Sequence, residues 1–226
     1  VASGAETYSE IALYSQCKAD WLKSILELPC GIPSHDTFER VMRWLNPEEF
    51  RKCFLNWVRG VAKLTKGEIV AIDGKALRGS KDGEKSAIYM VSAWANANGI
   101  VLGQMKVNEK TNEIKAIPEL LKILAVKGCI VTIDAIGCQK DITKEIISKE
   151  ADYVLSLKEN HPLLYQEVVQ YFDTCRADGF KDTAYSYHEE FDKGHGRLEK
   201  RKYWITEDIN WLTVREEWKG LKSIGM

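Results

Sequence analysis

Residues 130–139 read IVTIDAIGCQ, an apolar and β-branched run that stops abruptly on a carboxylate, Asp134. Residues 69–75, IVAIDGK, do the same, with Asp73 following Ile72. Valine and isoleucine suit a pleated, half-buried strand, whereas aspartate is poor strand material and is destabilising when buried without a partner. An acid that ends an apolar strand points to the carboxyl edge of an open α/β sheet, where such sheets hold their ligands.

Working outward from these two runs, EIVAID (68–73), SAIYMVSAWAN (86–96) and IVLGQMKV (100–107) read as strands, with Asn96–Gly99 as a turn between the last two. Glu113–Leu124 has helical periodicity, CIVTID (129–134) is a strand, Gln139–Lys149 is helical, DYVLSLK (152–158) is a strand, and a helix runs from Pro162 to about Cys175. The first three strands are joined by short links and can pair antiparallel; the later two are fed by helical crossovers and add in parallel. A mixed sheet with helices on its faces follows, and if the first and fourth strands are neighbours, Asp73 and Asp134 stand side by side.

Upstream, residues 5–28 are helical in period and stop at PCGIP. A second helix is expected from Asp36, whose spacing to Glu39 is that of a capping box, and a third from Asn46 with Pro47 in its first turn. The third is expected to turn Phe50, Phe54, Trp57 and Val58 inward, and Trp21, Trp44 and Trp57 are read as core. TKGE (65–68) marks the boundary, giving a helical N-terminal unit over 1–66 and an α/β unit over 67–226. Downstream, YSYHEEFDKGHGRLEKRKYWITED (185–208) returns to alternation and reads as a hairpin turning at Lys193-Gly194-His195-Gly196.

The bulk numbers narrow the classes. The 226 residues are 45% hydrophobic and 29% charged, with a net charge of −1, so no global positive field advertises nucleic acid and any such surface is local. The six cysteines form no CxxC pair and have no zinc spacing, which reads as reduced, mostly buried thiols in a cytoplasmic protein. No run approaches the ~18 apolar residues of a membrane span, and no signal-peptide start is present. The chain begins without Met and ends at KSIGM, which reads as a piece of a longer sequence.

Two carboxylates a few ångströms apart repel unless a cation keeps both ionised. Oxygen ligation of this kind suits Mg²⁺ or Mn²⁺, and two such ions ~3.5–4 Å apart serve phosphodiester chemistry. The competing reading is that each aspartate caps the turn after its strand. Around the acids, Lys75 and Arg78 in DGKALRGS, and Lys158 with Asn160 after the fifth strand, are candidate phosphate contacts; solvated turn charges are the alternative. Lys193, Arg197, Lys200, Arg201 and Lys202 concentrate positive charge on the hairpin against Glu199 alone within 193–202, so the hairpin is either a track for a DNA backbone or a solvated strand. His195 is a turn residue or a phosphate contact. Asn108, Lys110, Asn112 and Glu113 lie at a strand-to-helix turn, where Asn112 is read as a cap.

The order of GIPSHDTFERV (31–41), CFLNWV (53–58), AIDGKALRGS (71–80), VSAWAN (91–96), EKTNEI (109–114), TIDAIGCQ (132–139), ADYVLSLKENH (151–161) and GHGRLEKRKYW (194–204) resembles insertion-sequence transposases of the H-repeat-associated type. These belong to the DDE superfamily. The resemblance implies an RNase H-like mixed sheet flanked by helices, a β-hairpin insertion near the C-terminus, and a two-metal Mg²⁺ or Mn²⁺ site with Asp73 and Asp134 as its first two catalytic acids. It implies the terminal repeats of an insertion sequence and target DNA as partners, and it allows for a homodimer in the DNA complex. The reaction implied is DNA strand cleavage and transfer; a catalytically inactive remnant that only binds DNA, or a stand-alone nuclease of the same fold, are the alternatives. The third acid of the family is a glutamate on a helix in an HWxIEN-type motif downstream of the GHGR segment, and no such motif occurs before Met226, so the core is expected to be incomplete at its C-terminal end. Glu199 is the substitute at hand, unless it pairs with the neighbouring arginines. His161 departs from the pattern, which usually carries Gln there.

Overall fold

The computed structural model describes residues 4–77, 80, 87–107, 113–194 and 197–226. Arg78, Asn108, Lys110, Asn112, His195 and the side chain of Arg197 lie outside the described residues. The chain forms two compact units, Val1–Trp57 and Val58–Met226, where the change in sequence pattern comes at 66/67.

The first unit is helical: α1 (Tyr8–Cys17), α2 (Ala19–Lys23), α3 (His35–Trp44) and the start of α4 (Pro47–Val61). Thr7 and Glu10 close a capping box on α1. Asn46 caps α4 as its position predicts, its Oδ1 accepting from the amides of Glu48 and Glu49 at 2.9 and 3.3 Å. On α3 the cap is Ser34, not Asp36; the helix starts two residues earlier than Asp36 suggests, and Asp36 lies in its first turn, where a carboxylate suits the helix dipole. The aromatic residues also depart from expectation. Phe50 and Trp57 are not turned inward, and Trp21, Trp44 and Trp57 are not core: they are 56%, 59%, 56%, 78% and 59% exposed, in the order named. Helical spacing marks a common face but says nothing about what covers it, and along α1, α2 and α3 the sole buried residue is Ala12.

The second unit is built on a five-stranded sheet in the order β3-β2-β1-β4-β5. Its strands are β1 (Ile69–Ala76), β2 (Tyr89–Ala95), β3 (Ile100–Val107), β4 (Ile130–Ile133) and β5 (Asp152–Leu155). β1–β2 and β2–β3 pair antiparallel, while β1–β4 and β4–β5 are parallel. The parallel pairs are reached through the crossover helices α5 (Glu113–Ile123) and α6 (Lys140–Ser148), whereas β2 turns into β3 through the short link 96–99. Val70, Ile72, Val131 and Ile133 of the central strands are buried together with Ile117, Leu120, Leu121, Ile142 and Ile146 of those two helices. This is the mixed sheet flanked by helices that the strand and helix pattern predicts, and it agrees with the RNase H-like core that the resemblance implies.

After α7 (Pro162–Ala177), β6 (Ser186–Gly194) and β7 (Arg197–Thr206) form the hairpin, and β8 (Ile224–Gly225) adds a short third strand on β7 that the sequence does not announce. A separate core joins α7 to the C-terminal segment through Leu164, Val168, Phe172, Ile209, Leu212 and Trp218, and Cys138 belongs to it. The thiols are not mostly buried: all six are free, with Cys17, Cys30 and Cys53 exposed and Cys129, Cys138 and Cys175 buried. Burial pushes the Cys138 thiol up to about 11, which keeps it protonated and unreactive. No helix among the described residues is long and apolar enough to cross a membrane.

Candidate active site

The parallel register Ile72↔Ile133 brings the two acids level, since Asp73 and Asp134 are each the next residue along adjacent strands. Neighbouring strands run about 4.7–4.9 Å apart, and side chains alternate between faces. Val70 and Ile72 on β1 and Val131 and Ile133 on β4 are buried on one face, so alternation sends Asp73 and Asp134 to the opposite face together. Both carboxylates are exposed. The cost of burying an unpaired acid is avoided because the apolar strands end where the acids begin.

Each acid is held locally. β4 stops at Ile133, and Asp134 caps a single 3₁₀ turn (Ala135–Gly137), its Oδ1 accepting from the amide of Ile136 at 3.1 Å. The turn-capping reading of Asp134 is therefore correct, and it leaves the second oxygen free of that bond. Asp73 Oδ2 lies 3.2 Å from the ammonium of Lys75, two residues on and so on the same face. A cation thus already stands at Asp73, where two hard oxygen donors side by side fit Mg²⁺ or Mn²⁺. Among the described residues, no group of three His, Cys, Asp or Glu side chains is gathered to hold a metal.

The loop after β5 docks behind the Asp134 turn. Asn160 Nδ2 donates to the Ala135 carbonyl at 2.8 Å, and His161 Nε2 meets the Cys138 carbonyl at 2.6 Å while its ring packs edge-on against Trp218. His161 therefore has a structural task that the sequence does not disclose. Lys158, Asn160 and Tyr165 line an open cleft with Ala135 and Ile136, which places Lys158 at the rim beside the Asp134 turn.

The hairpin residues stand in the other sheet. Glu199 is paired with Arg201 at 2.7 Å. Arg201 also reaches Glu190 and Asp192, and Lys200 holds Glu189 at 2.8 Å. The register sets Glu189 opposite Lys202, Glu190 opposite Arg201 and Asp192 opposite Glu199. Basic charge that looks unopposed along β7 is met by the acids of β6, a partner that spacing within one strand cannot show.

Sequence reasoning missed two glycines. A Cβ on Gly137 would stand 2.2 Å from Ile133 Cγ2 and 3.3 Å from Ile117 Cδ1, so the Asp134 turn closes only with glycine there. Gly137→Ala is expected to destabilise the second unit by about 1–3 kcal/mol, because both neighbours are buried and cannot swing away. Urea unfolding checks this, and a loss under about 0.5 kcal/mol would contradict the packing. The second glycine is Gly74, beside Asp73, where a Cβ would meet the carboxylate of Glu113.

Residues 64–216 match the family described as Transposase DDE domain, and residues 1–58 match DDE_Tnp_1-associated. The chain belongs to the DDE transposase family. It is 41% identical over 227 residues to "Putative transposase YncI" of Escherichia coli O157:H7, covering 99% of this chain and 57% of that protein. It is 38% identical over 227 residues to "H repeat-associated putative transposase YhhI" of Escherichia coli (strain K12), covering 99% of this chain and 59% of that one. This DDE family member thus spans less than two thirds of the length of those two relatives. Among solved structures, a piggyBac transposase synaptic complex with hairpin DNA aligns with 92% of this chain and 52% of its own at 13% identity, with a TM-score of 0.39.

Proposed function

We propose that this DDE family member binds the ends of an insertion sequence and carries out metal-dependent DNA strand cleavage and transfer, with Asp73 and Asp134 as its first two metal ligands. The observation that carries the reading is the pair itself: two exposed carboxylates, level in register and on one face, at the carboxyl ends of adjacent parallel strands. A divalent cation bound there would activate the attacking water or hydroxyl and offset charge on the leaving oxygen of a phosphodiester.

The chain's own groups have separable tasks. Asp73 would hold the cation in place of its bond to Lys75, and the Lys75 ammonium would then be available to a phosphate oxygen. Asp134 offers the oxygen that the Ile136 amide does not use, and the 3₁₀ turn fixes its direction. Lys158 meets backbone phosphate at the cleft rim, and Arg78 joins Lys75 on the same segment. Arg197, Lys200 and Arg201 supply the hairpin's contacts; Lys200 and Arg201 do so by exchanging their present carboxylate partners for phosphates. Glu199 would complete the acid set only by leaving Arg201; otherwise the third carboxylate comes from elsewhere. A second copy of the chain in the DNA complex is compatible with these tasks.

The test is a cleavage and strand-transfer assay in Mg²⁺ and in Mn²⁺, on DNA carrying the ends of the surrounding insertion sequence. Metal-dependent nicking followed by joining, lost in Asp73→Ala, is the expected result. DNA binding without metal-dependent chemistry would favour an inactive remnant, and cleavage without transfer a nuclease. Loss on Glu199→Ala as complete as on Asp73→Ala would make Glu199 the third ligand. Lys158→Ala should weaken DNA binding about equally for all sequences and reduce the slope of log affinity against log salt by about 0.9, as for one lost phosphate contact. An unchanged slope would remove Lys158 from the interface.

A further inference from the structure

Glu113 is a buried acid to which the cleavage chemistry assigns no task. It is 5% exposed, the first residue of α5, and its carboxylate lies directly against the main chain at Gly74. A Cβ there would stand 2.5, 2.6 and 2.7 Å from the carboxyl carbon and its two oxygens. Glycine at 74 is what makes room for the acid.

The placement relates to both ligands. Gly74 follows Asp73 directly, and by alternation it faces α5 while Asp73 faces away, so Glu113 sits behind the acid and not beside it. One helical turn further along α5, Ile117 packs under Gly137, within the turn that Asp134 caps. One face of α5 therefore supports both acid-bearing segments, with a carboxylate under the first and an alkyl group under the second. A carboxylate is favourably placed in the first turn of a helix, and an acid behind a pair of acids adds to the field that attracts a cation.

We propose that Glu113 is a positioning residue of the Asp73–Asp134 site: its buried carboxylate, seated at Gly74, holds the end of β1 and strengthens divalent-cation binding by the pair. The role rests on the metal-site reading given above. Glu113 is not a ligand itself, since it lies on the far face of β1.

Mn²⁺ binding to the 226-residue chain, followed by the loss of the free-ion electron paramagnetic resonance signal, tests this without any activity readout. Glu113→Gln keeps the shape and removes the charge; it is expected to weaken Mn²⁺ binding about tenfold, equivalent to about 1.4 kcal/mol, with the melting temperature of the metal-free chain nearly unchanged. Gly74→Ala keeps the charge but displaces it, and is expected to weaken Mn²⁺ binding as well, so the proposal stays testable should the Gln variant fold poorly. Unchanged Mn²⁺ affinity in either folded variant, whether or not its melting temperature falls, overturns the proposal. Asp73→Asn separates the two levels. If it abolishes Mn²⁺ binding while Glu113→Gln leaves the affinity unchanged, the metal site stands and the role of Glu113 falls; if Asp73→Asn binds Mn²⁺ normally, both fall.

Discussion

Asp73→Asn and Asp134→Asn are each expected to reduce metal-dependent strand cleavage by at least about 100-fold, with DNA binding retained. Asparagine keeps the size and one oxygen of each side chain, so the strands and the 3₁₀ turn should survive. The amide can still accept from the Ile136 amide at position 134. What is lost is charge. A site assembled from hard oxygen donors depends on ionised ligands to hold its cation, and a small misplacement of the reacting phosphate already costs about 100-fold. The two substitutions should also be strongly non-additive, because the pair works as one unit: after the first, the second removes little more. Retention of cleavage in either variant, measured at saturating Mg²⁺, would show that the acids are only turn caps. Equal loss of DNA binding would point to misfolding instead.

The legible and illegible parts of this molecule differ in how far apart the interacting residues lie. Strand direction was readable because a two-stranded turn such as Asn96–Gly99 and a crossover helix such as α5 leave different sequence lengths between strands. Once β1 and β4 are neighbours, alternation puts Asp73 and Asp134 on one face, and the register Ile72↔Ile133 makes them level. The illegible features depend on residues that meet across the fold. Glu113 is 39 positions from Gly74, and nothing in AIDGK shows that an acid will fill the space over its glycine. The hairpin looks basic along β7 because its counter-charges stand on β6, and the register that opposes Glu190 to Arg201 is set by the fold. The N-terminal aromatics mislead for a related reason: Trp44 sits at an amphipathic spacing, yet it is 78% exposed. Gly137 had a visible signal, a glycine three residues after an acid, but its necessity comes from the buried Ile133 and Ile117 on either side.

The largest effect on stability should come from the second core. Phe172→Ala is expected to destabilise the unit Val58–Met226 by about 3–5 kcal/mol. Phe172 is fully buried on α7, edge-on to Tyr171 at 5.5 Å between ring centroids, among Leu164, Val168, Ile209, Leu212 and Trp218. These residues come from a helix and from a C-terminal segment whose regular structure is one 3₁₀ turn and a two-residue strand. Beyond its local turns and polar ties such as Thr213 Oγ1 to Glu167 at 2.6 Å, the segment packs on α7 by side-chain burial, so a cavity at Phe172 cannot close without parting Trp218 from its neighbours. At about 2–4 °C per kcal/mol for a domain of this size, the melting temperature should fall by roughly 6–20 °C. Leu163→Ala on the same helix is the control: Leu163 is 71% exposed, and its truncation should change stability by no more than about 0.5 kcal/mol. Because Cys138 belongs to this core and its carbonyl receives His161, the loss should extend to the turn that aims Asp134. Urea unfolding in which Phe172→Ala and Leu163→Ala have the same midpoint would sink both the core assignment and its link to the site.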